Sequence, residues 1–324
     1  MASLTELRNW SVTEQVGVLF VVLFGMLALA GVVVALRSLR ERDEAGRERQ
    51  QQLQRDLRAL VVGAVVFWVA WVSGPAGATI AFAILSFLAL REYITLTPTR
   101  RGDHRSLILA FFVVIPVQYL LVGLRAFDLF TVFVPVYVFL AIPVVSALGG
   151  DPERFLQRNA EIQWGIMVCV YSLAHAPALL LLEFRGYQEH GAFLVFFLVV
   201  VTVAAQVAQR FASRRLRRRP LARQIDRNFS ARAFGVGLLA AALLGAMLFW
   251  ITPVDAARAA AMAAVAGGCG TLGEFVMHAL KKDAGVRYWG NRSSITGAAG
   301  LLDRVAPLCF AAPVFFHSVR WYFR

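Results

Sequence analysis

The sequence predicts an all-α, polytopic integral membrane protein with about ten transmembrane helices. Three observations carry that expectation. Of its 324 residues, 59% are hydrophobic and only 16% charged, where a soluble domain is nearer half apolar and about 25% charged. The apolar residues gather into blocks, and roughly 20 such residues make one bilayer-crossing helix. Between the blocks, basic residues crowd every second loop, the asymmetry that orients a membrane protein.

The first block, VGVLFVVLFGMLALAGVVVAL, ends at Leu36. Its Ala28-Leu29-Ala30 resembles a signal cleavage site, but no basic segment precedes it and the apolar run continues beyond, so a retained anchor is expected. Further spans are expected near 59–74, 76–94, 107–124, 128–148, 162–182, 192–209, 233–251, 256–280 and 304–322. SGPAGA (73–78) reads as a tight turn between the second and third. The basic loops hold Arg37 to Arg58, Arg100 to Arg105, Arg154 and Arg158, Arg210 to Arg232, and Lys281 to Arg304. The intervening loops hold little beyond Arg125, Arg185 and Arg258. That pattern places the N-terminus outside and the basic loops in the cytoplasm, in what reads as a bacterial inner membrane. Three regions follow: an anchor helix with a charged linker (1–58), a helix bundle (59–209), and a basic loop with C-terminal helices (210–324).

The net charge of +13 is read as topology and attraction to anionic lipid, since no nucleic-acid-binding motif accompanies it. Cys169, Cys269 and Cys309 are too scattered for a disulfide framework or a metal site. His175 reads as a packed, hydrogen-bonded core residue, and Gln118, Tyr119 and Gln206 as interhelical hydrogen-bonders.

One stretch departs from the rest. GEFVMHALKKDAGVRYWG (273–290) brings Glu274, His278, Lys281, Lys282 and Arg287 to the end of an apolar block. On a helix, Glu274, His278, Lys281 and Lys282 share one face. A polar, Gly-containing segment follows, and then Asp303 and Arg304 stand at the mouth of the last span. Ionisable groups at membrane depth are costly and usually mark function. Phosphate chemistry suits them. Glu274 and Asp303 could hold Mg²⁺, a hard cation that prefers oxygen, and Lys281, Lys282, Arg287 and Arg304 could neutralise phosphates. An ion-paired helix end that serves topology alone remains the plainer alternative. A second expectation has Glu274 and His278 sharing an ion such as Zn²⁺ or Mn²⁺, with a simple polar-face histidine favoured over it.

The C-terminal third resembles the CDP-diacylglycerol synthase (phosphatidate cytidylyltransferase) family. The signature of that family runs as Gly-Asp, an apolar helix, Lys-Arg, Lys-Asp, Pro-Gly-His-Gly-Gly, Asp-Arg and a last Asp. GEFVMHALKKDAGVRYWG and TGAAGLLDRVAP follow its order, and REYITLTPTRRGD (91–103) is also similar. The chain departs from it at Glu274 for Asp, Lys282 for Arg, Arg287-Tyr288 for Lys-Asp, Ala298 for His and Ala306 for the last Asp. Upstream, Val203 stands nearest to a family Asp, and DRNFSAR (226–232) blurs a Ser-Pro-x-Lys-Thr element. The resemblance implies a reaction of CTP with phosphatidate to give CDP-diacylglycerol and pyrophosphate, with Mg²⁺ as cofactor and Mn²⁺ as its substitute. It implies Lys281, Lys282, Asp303 and Arg304 as catalytic residues, Arg287, Gly297 and Gly300 around the nucleotide phosphates, and Glu274 and Asp303 on the metal. Expected partners are CTP, phosphatidate, anionic lipids and a second copy of the chain, with nucleic acid excluded. The rival reading is a non-catalytic relative that binds anionic lipid or nucleotide. A transporter is disfavoured, because no matching pair of Gly/Pro-broken helices appears.

Overall fold

Within hydrocarbon a backbone finds no water, so each apolar block must satisfy its own N–H and C=O groups as a helix. The computed structural model describes residues 10–40, 68, 72–184, 187, 190–216, 219–286 and 300–323. Among them run α1 (Val12–Arg40), α2 (Gly74–Ile94), α3 (Arg101–Gly123), α4 (Phe127–Ala147), α5 (Phe155–Leu180) and α6 (Gly191–Leu216). Then come α7 (Ala231–Met247), α8 (Ala256–Asp283) and α9 (Leu301–Tyr322). No strand forms among the described residues.

Six of these helices, α2 to α6 and α8, are long and apolar enough to cross a membrane. The protein is a helical membrane protein; about ten spans are expected from the sequence, and six such helices stand among the described residues. The expected span at 59–74 lies outside them, apart from Trp68 and residues 72–74. The span expected at 233–251 stops as a helix at Met247, and a 3-10 turn, Phe249–Ile251, follows. Others run on past their apolar cores. α5 begins at Phe155 rather than 162 because polar residues continue the helix, with Asn159 Nδ2 donating to the Phe155 carbonyl at 2.8 Å.

α1 belongs to a unit of its own (Met1–Gly77). It opens with a capping box: Glu14 accepts from the Ser11 N–H at 2.9 Å, and Ser11 Oγ accepts from the Glu14 N–H. The rings of Phe20, Phe24 and Trp68 meet on its flank.

In the larger unit, α3, α4 and α5 each contain a wide π turn, at Ala110–Val114, Phe133–Val138 and Met167–Ser172. Each goes with a proline: Pro116 and Pro177 follow the first and third turns, and Pro135 lies within the second. Proline lacks an N–H and crowds the carbonyl four residues back, and a widened turn relieves that crowding. Polar side chains join neighbouring helices as expected. Tyr119 pairs with Ser86 of α2, and Gln118 donates to the Phe130 carbonyl of α4 at 3.4 Å. His175 is fully buried, its Nδ1 lying 2.8 Å from the Tyr171 carbonyl. Cys169 and Cys309 are buried free thiols.

The site depends on how α6, α8 and α9 meet. A Cβ on Gly270 would fall 2.4 Å from the Thr202 methyl of α6, and one on Gly273 would fall 2.5 Å from the Phe310 ring of α9. Small residues therefore let these helices approach closely, the usual device where lipid offers no hydrophobic drive for association.

At the end of the bundle that carries most of the arginines, the loops are tied by ions. Arg158 of α5, 4% exposed, donates to Asp151 at 2.6 Å and lies 3.3 Å from Asp103, which is fully buried. Arg100 adds pairs to Asp151 and Glu153. At the opposite end, Arg125 pairs with Glu183, and Arg320 with Asp128. Removing one member of a buried ion group strands the other, at a cost of several kcal/mol. Arg158→Ala is therefore expected to destabilise the protein by about 3 kcal/mol, seen as a lower thermal midpoint in detergent, whereas Arg100→Ala at the exposed rim should change it little.

Candidate functional site

α8 begins on the side chain of Asp255, which accepts from the Arg258 N–H at 2.8 Å, and ends with Lys281 and Lys282 in its last turn. Its helical rise sets Glu274, His278 and the two lysines on successive turns. Each one meets a different partner.

Glu274, 16% exposed, faces α6. Its Oε2 accepts from Gln206 Nε2 at 2.7 Å, and its Oε1 from the Arg210 guanidinium. One turn on, His278 Nδ1 lies 3.4 Å from Asp226 Oδ2 in the loop between α6 and α7. That hydrogen bond holds the Asp226 carboxyl below its ordinary range. Lys282 donates to the Gln224 carbonyl of the same loop. Phe229 then seats the loop on α8, its ring 4.5 Å from that of Phe275. Lys281 turns the other way and donates to Asp303 Oδ1 of α9 at 2.6 Å, an ion pair 13% and 30% exposed.

α9 starts at Gly300, whose φ of +85° lies in the left-handed region that a residue without Cβ adopts most readily. The first N–H groups of any helix lack intrahelical partners. Here Glu92, near the end of α2 and 5% exposed, supplies them: its carboxylate accepts from the Gly300 N–H and, at 2.9 Å, from the Leu302 N–H. Asp303 follows within the first turn, and Arg304 is exposed beside it.

The structure thus gathers Lys281 and Asp303 into one pair and sets Glu274, Lys282 and Gly300 on the flanking turns, each with a partner of its own. Arg287 and Gly297 lie outside the described residues. Sequence reasoning missed three members. Glu92 was visible as an acid at the end of an apolar block, inside the quoted REYITLTPTRRGD stretch. Arg210 was counted among the topological arginines, and Asp226 among loop residues. On α6, below Val203, the helix presents an amide and a guanidinium at Gln206 and Arg210.

The fit of a divalent ion differs between the two carboxylates. Among the described residues no three His, Cys, Asp or Glu side chains gather as ligands. Mg²⁺ needs only one or two carboxylates beside waters and phosphate oxygens. Asp303, engaged through one oxygen and partly exposed, meets that requirement. Glu274 fits less well: both of its oxygens already accept from α6, one of them from a guanidinium whose charge opposes a second cation. His278 turns to Asp226, and the structure shows no ligand pair of His278 with Glu274.

These features define a polytopic helical membrane protein with a cluster of acids and bases at one end of its last long helices. The chain belongs to the cytidylyltransferase family, the family of the CDP-diacylglycerol synthases, which it matches over residues 53–322. It is also 35% identical over 264 residues to the uncharacterized protein YnbB of Escherichia coli (strain K12), an alignment that covers 80% of this chain and 85% of that protein. Membership supports nucleotidyl transfer as the reaction type.

Two tests follow from the geometry. Glu92→Ala leaves two helix N-terminal donors unpaired in a buried setting, which costs about 2 kcal/mol. Amide hydrogen exchange at Gly300 and Leu302 should accelerate by an order of magnitude or more, while exchange in α4 stays unchanged. The Asp226–His278 contact holds the basic loop to α8 with about 1 kcal/mol. Asp226→Asn should therefore speed tryptic cleavage after Arg223 and Arg227 roughly fivefold at neutral pH. Because the folded-state pKa of Asp226 is lowered from 3.8, this contribution is present above that value and is lost as pH falls through the lowered one. Loop protection in the wild-type protein, followed by hydrogen exchange, should fall toward that of the variant only in strong acid.

Proposed function

We infer that this protein is an integral-membrane phosphatidate cytidylyltransferase, which joins CTP and phosphatidate into CDP-diacylglycerol with release of pyrophosphate. The observation that carries this reading is the Lys281–Asp303 bridge between α8 and α9, set within the stretch that matches the cytidylyltransferase family. In this reading the basic end faces the cytoplasm of a bacterial inner membrane, with the N-terminus on the other side. CTP arrives from water and phosphatidate from the bilayer, and anionic lipid collects around the arginines. A homodimer is part of the same proposal.

The reaction asks for charge neutralisation more than for covalent chemistry by the protein. A phosphate oxygen of phosphatidate attacks the α-phosphorus of CTP, and the bond from that phosphorus to the bridging oxygen of the β-phosphate breaks. The electron pair leaves with pyrophosphate. Mg²⁺, held through Asp303 and replaceable by Mn²⁺, would supply a compact positive charge to the phosphate oxygens. Lys281, fixed on Asp303, offers an ammonium at a set position. Arg304, exposed on the same turn of α9, can reach phosphate with a two-pronged donor. Lys282 adds positive charge at the end of α8, and the resemblance assigns Arg287 to the nucleotide phosphates. The resemblance assigns Gly297 and Gly300 to the same phosphates, a role that suits residues without a Cβ. Glu92 keeps the first turn of α9, and with it Asp303, in one orientation.

A second reading has its own support. With both Glu274 oxygens taken by α6, and Ala at 298 and 306, a relative that binds nucleotide or anionic lipid without turnover would also suit these residues. Purified protein given radiolabelled CTP, phosphatidate and Mg²⁺ decides between them. The enzyme should move label into chloroform-soluble lipid, and Asp303→Asn should reduce that rate by about 10²-fold or more. A folded, phosphatidate-binding protein that transfers no label would favour the non-catalytic relative.

A further inference from the structure

Two donors from one face of α6 close on a single carboxylate of α8. Gln206 and Arg210 are four residues apart, one helical turn, and both reach Glu274: Gln206 Nε2 to Oε2 at 2.7 Å, and the guanidinium to Oε1. The carboxylate is mostly covered, at 16% exposed, while the Arg210 side chain is 54% exposed. The pair is therefore anchored from beneath and open above. Gln206 is buried, so it holds Glu274 from a fixed position rather than from a mobile surface rotamer.

The geometry points to Arg210 as the resident cation of this site, with Glu274 as the residue that positions it, and not as a ligand to a divalent ion. A carboxylate that accepts a charge-assisted hydrogen bond on one oxygen and an amide hydrogen bond on the other is fixed in orientation and has its charge balanced by the guanidinium. A second, doubly charged cation on the same group would be repelled by the guanidinium and would have to displace it. A guanidinium carries five N–H donors in a rigid fork, more than the Glu274 contact uses. The half-exposed Arg210 thus keeps donors for a ligand that bears phosphate oxygens. It would read a nucleotide polyphosphate or a lipid phosphate with a fixed fork, where a metal would offer a point charge. This deepens the proposed reading of the same site and rests on it for the phosphate ligand.

The test uses the full-length protein in detergent and reads Mn²⁺ binding by electron paramagnetic resonance, without substrate or turnover. Glu274→Gln should leave Mn²⁺ affinity within twofold of wild type. Arg210→Gln should free the carboxylate and tighten Mn²⁺ binding at least tenfold, Arg210→Lys should tighten it much less, and the Arg210→Gln/Glu274→Gln double variant should return to the wild-type value. A tenfold loss of Mn²⁺ affinity in Glu274→Gln, or no gain in Arg210→Gln, overturns the assignment. Should Glu274→Gln fail to give a monodisperse protein, Arg210→Gln and Arg210→Lys decide the matter. The source of the phosphate is read separately in EDTA, where Arg210→Gln should weaken binding at least tenfold for CTP if the fork takes the nucleotide, or for phosphatidate in mixed micelles if it takes the lipid; a loss for neither overturns the phosphate role. A failure of the cytidylyltransferase reading would appear as absent CDP-lipid formation, with every Mn²⁺ result unchanged.

Discussion

The carboxylate of Glu92 joins parts of the chain more than 200 residues apart. It is buried at the end of α2 and takes the N–H groups of Gly300 and Leu302, donors that a helix can never satisfy from within. Without it, the start of α9 would carry unpaired donors at a place water hardly reaches, and the helix would begin elsewhere. Where α9 begins determines where Asp303 stands, and Asp303 determines how Lys281 lies across the seam to α8. Lys281 is thereby drawn toward α9, while Glu274, His278 and Lys282 of the same helix meet α6 and the loop that follows it. The close approach of Gly273 to Phe310 keeps the two helices near enough for the bridge to close.

The helical membrane architecture was legible because bilayer thickness imposes a length and hydrocarbon imposes a composition, and both are one-dimensional properties of a sequence. The ends of helices were less so. α5 runs seven residues beyond its expected start because Gln157, Asn159 and Glu161 are polar without being helix breakers, and hydropathy registers the membrane edge rather than the helix edge. The stretch expected at 233–251 failed in the other direction: it stays apolar past Met247 while its backbone turns, at Phe249–Ile251 and Pro253, toward the next helix.

The site was half legible for a similar reason. Residues on one helix declare their shared face through spacing, so Glu274, His278, Lys281 and Lys282 could be grouped before any fold was known. Partners contributed by other helices carry no such signature. Arg210 looks like any other arginine in a basic run until α6 is laid against α8. Glu92 looks like the end of a span until α9 is docked on it. The sequence also suggested a common ion for Glu274 and Asp303, since acids in one region invite that reading. It contained nothing to reveal that Glu274 is already neutralised from the side.

The wide turn in α4 has a further effect on that helix. Its buried residues fall at Phe130, Val134, Val138, Ile142 and Ser146, a constant step of four. In a regular helix of 3.6 residues per turn, each such step overshoots by about 40°, so four steps would carry the stripe roughly 160° around the axis, from the bundle to the lipid. The extra residue accommodated at Phe133–Val138 resets the phase midway, and the same side of α4 stays inward from one end to the other. Loss of a single residue there would leave the composition of α4 intact while turning half of its inward-facing stripe outward.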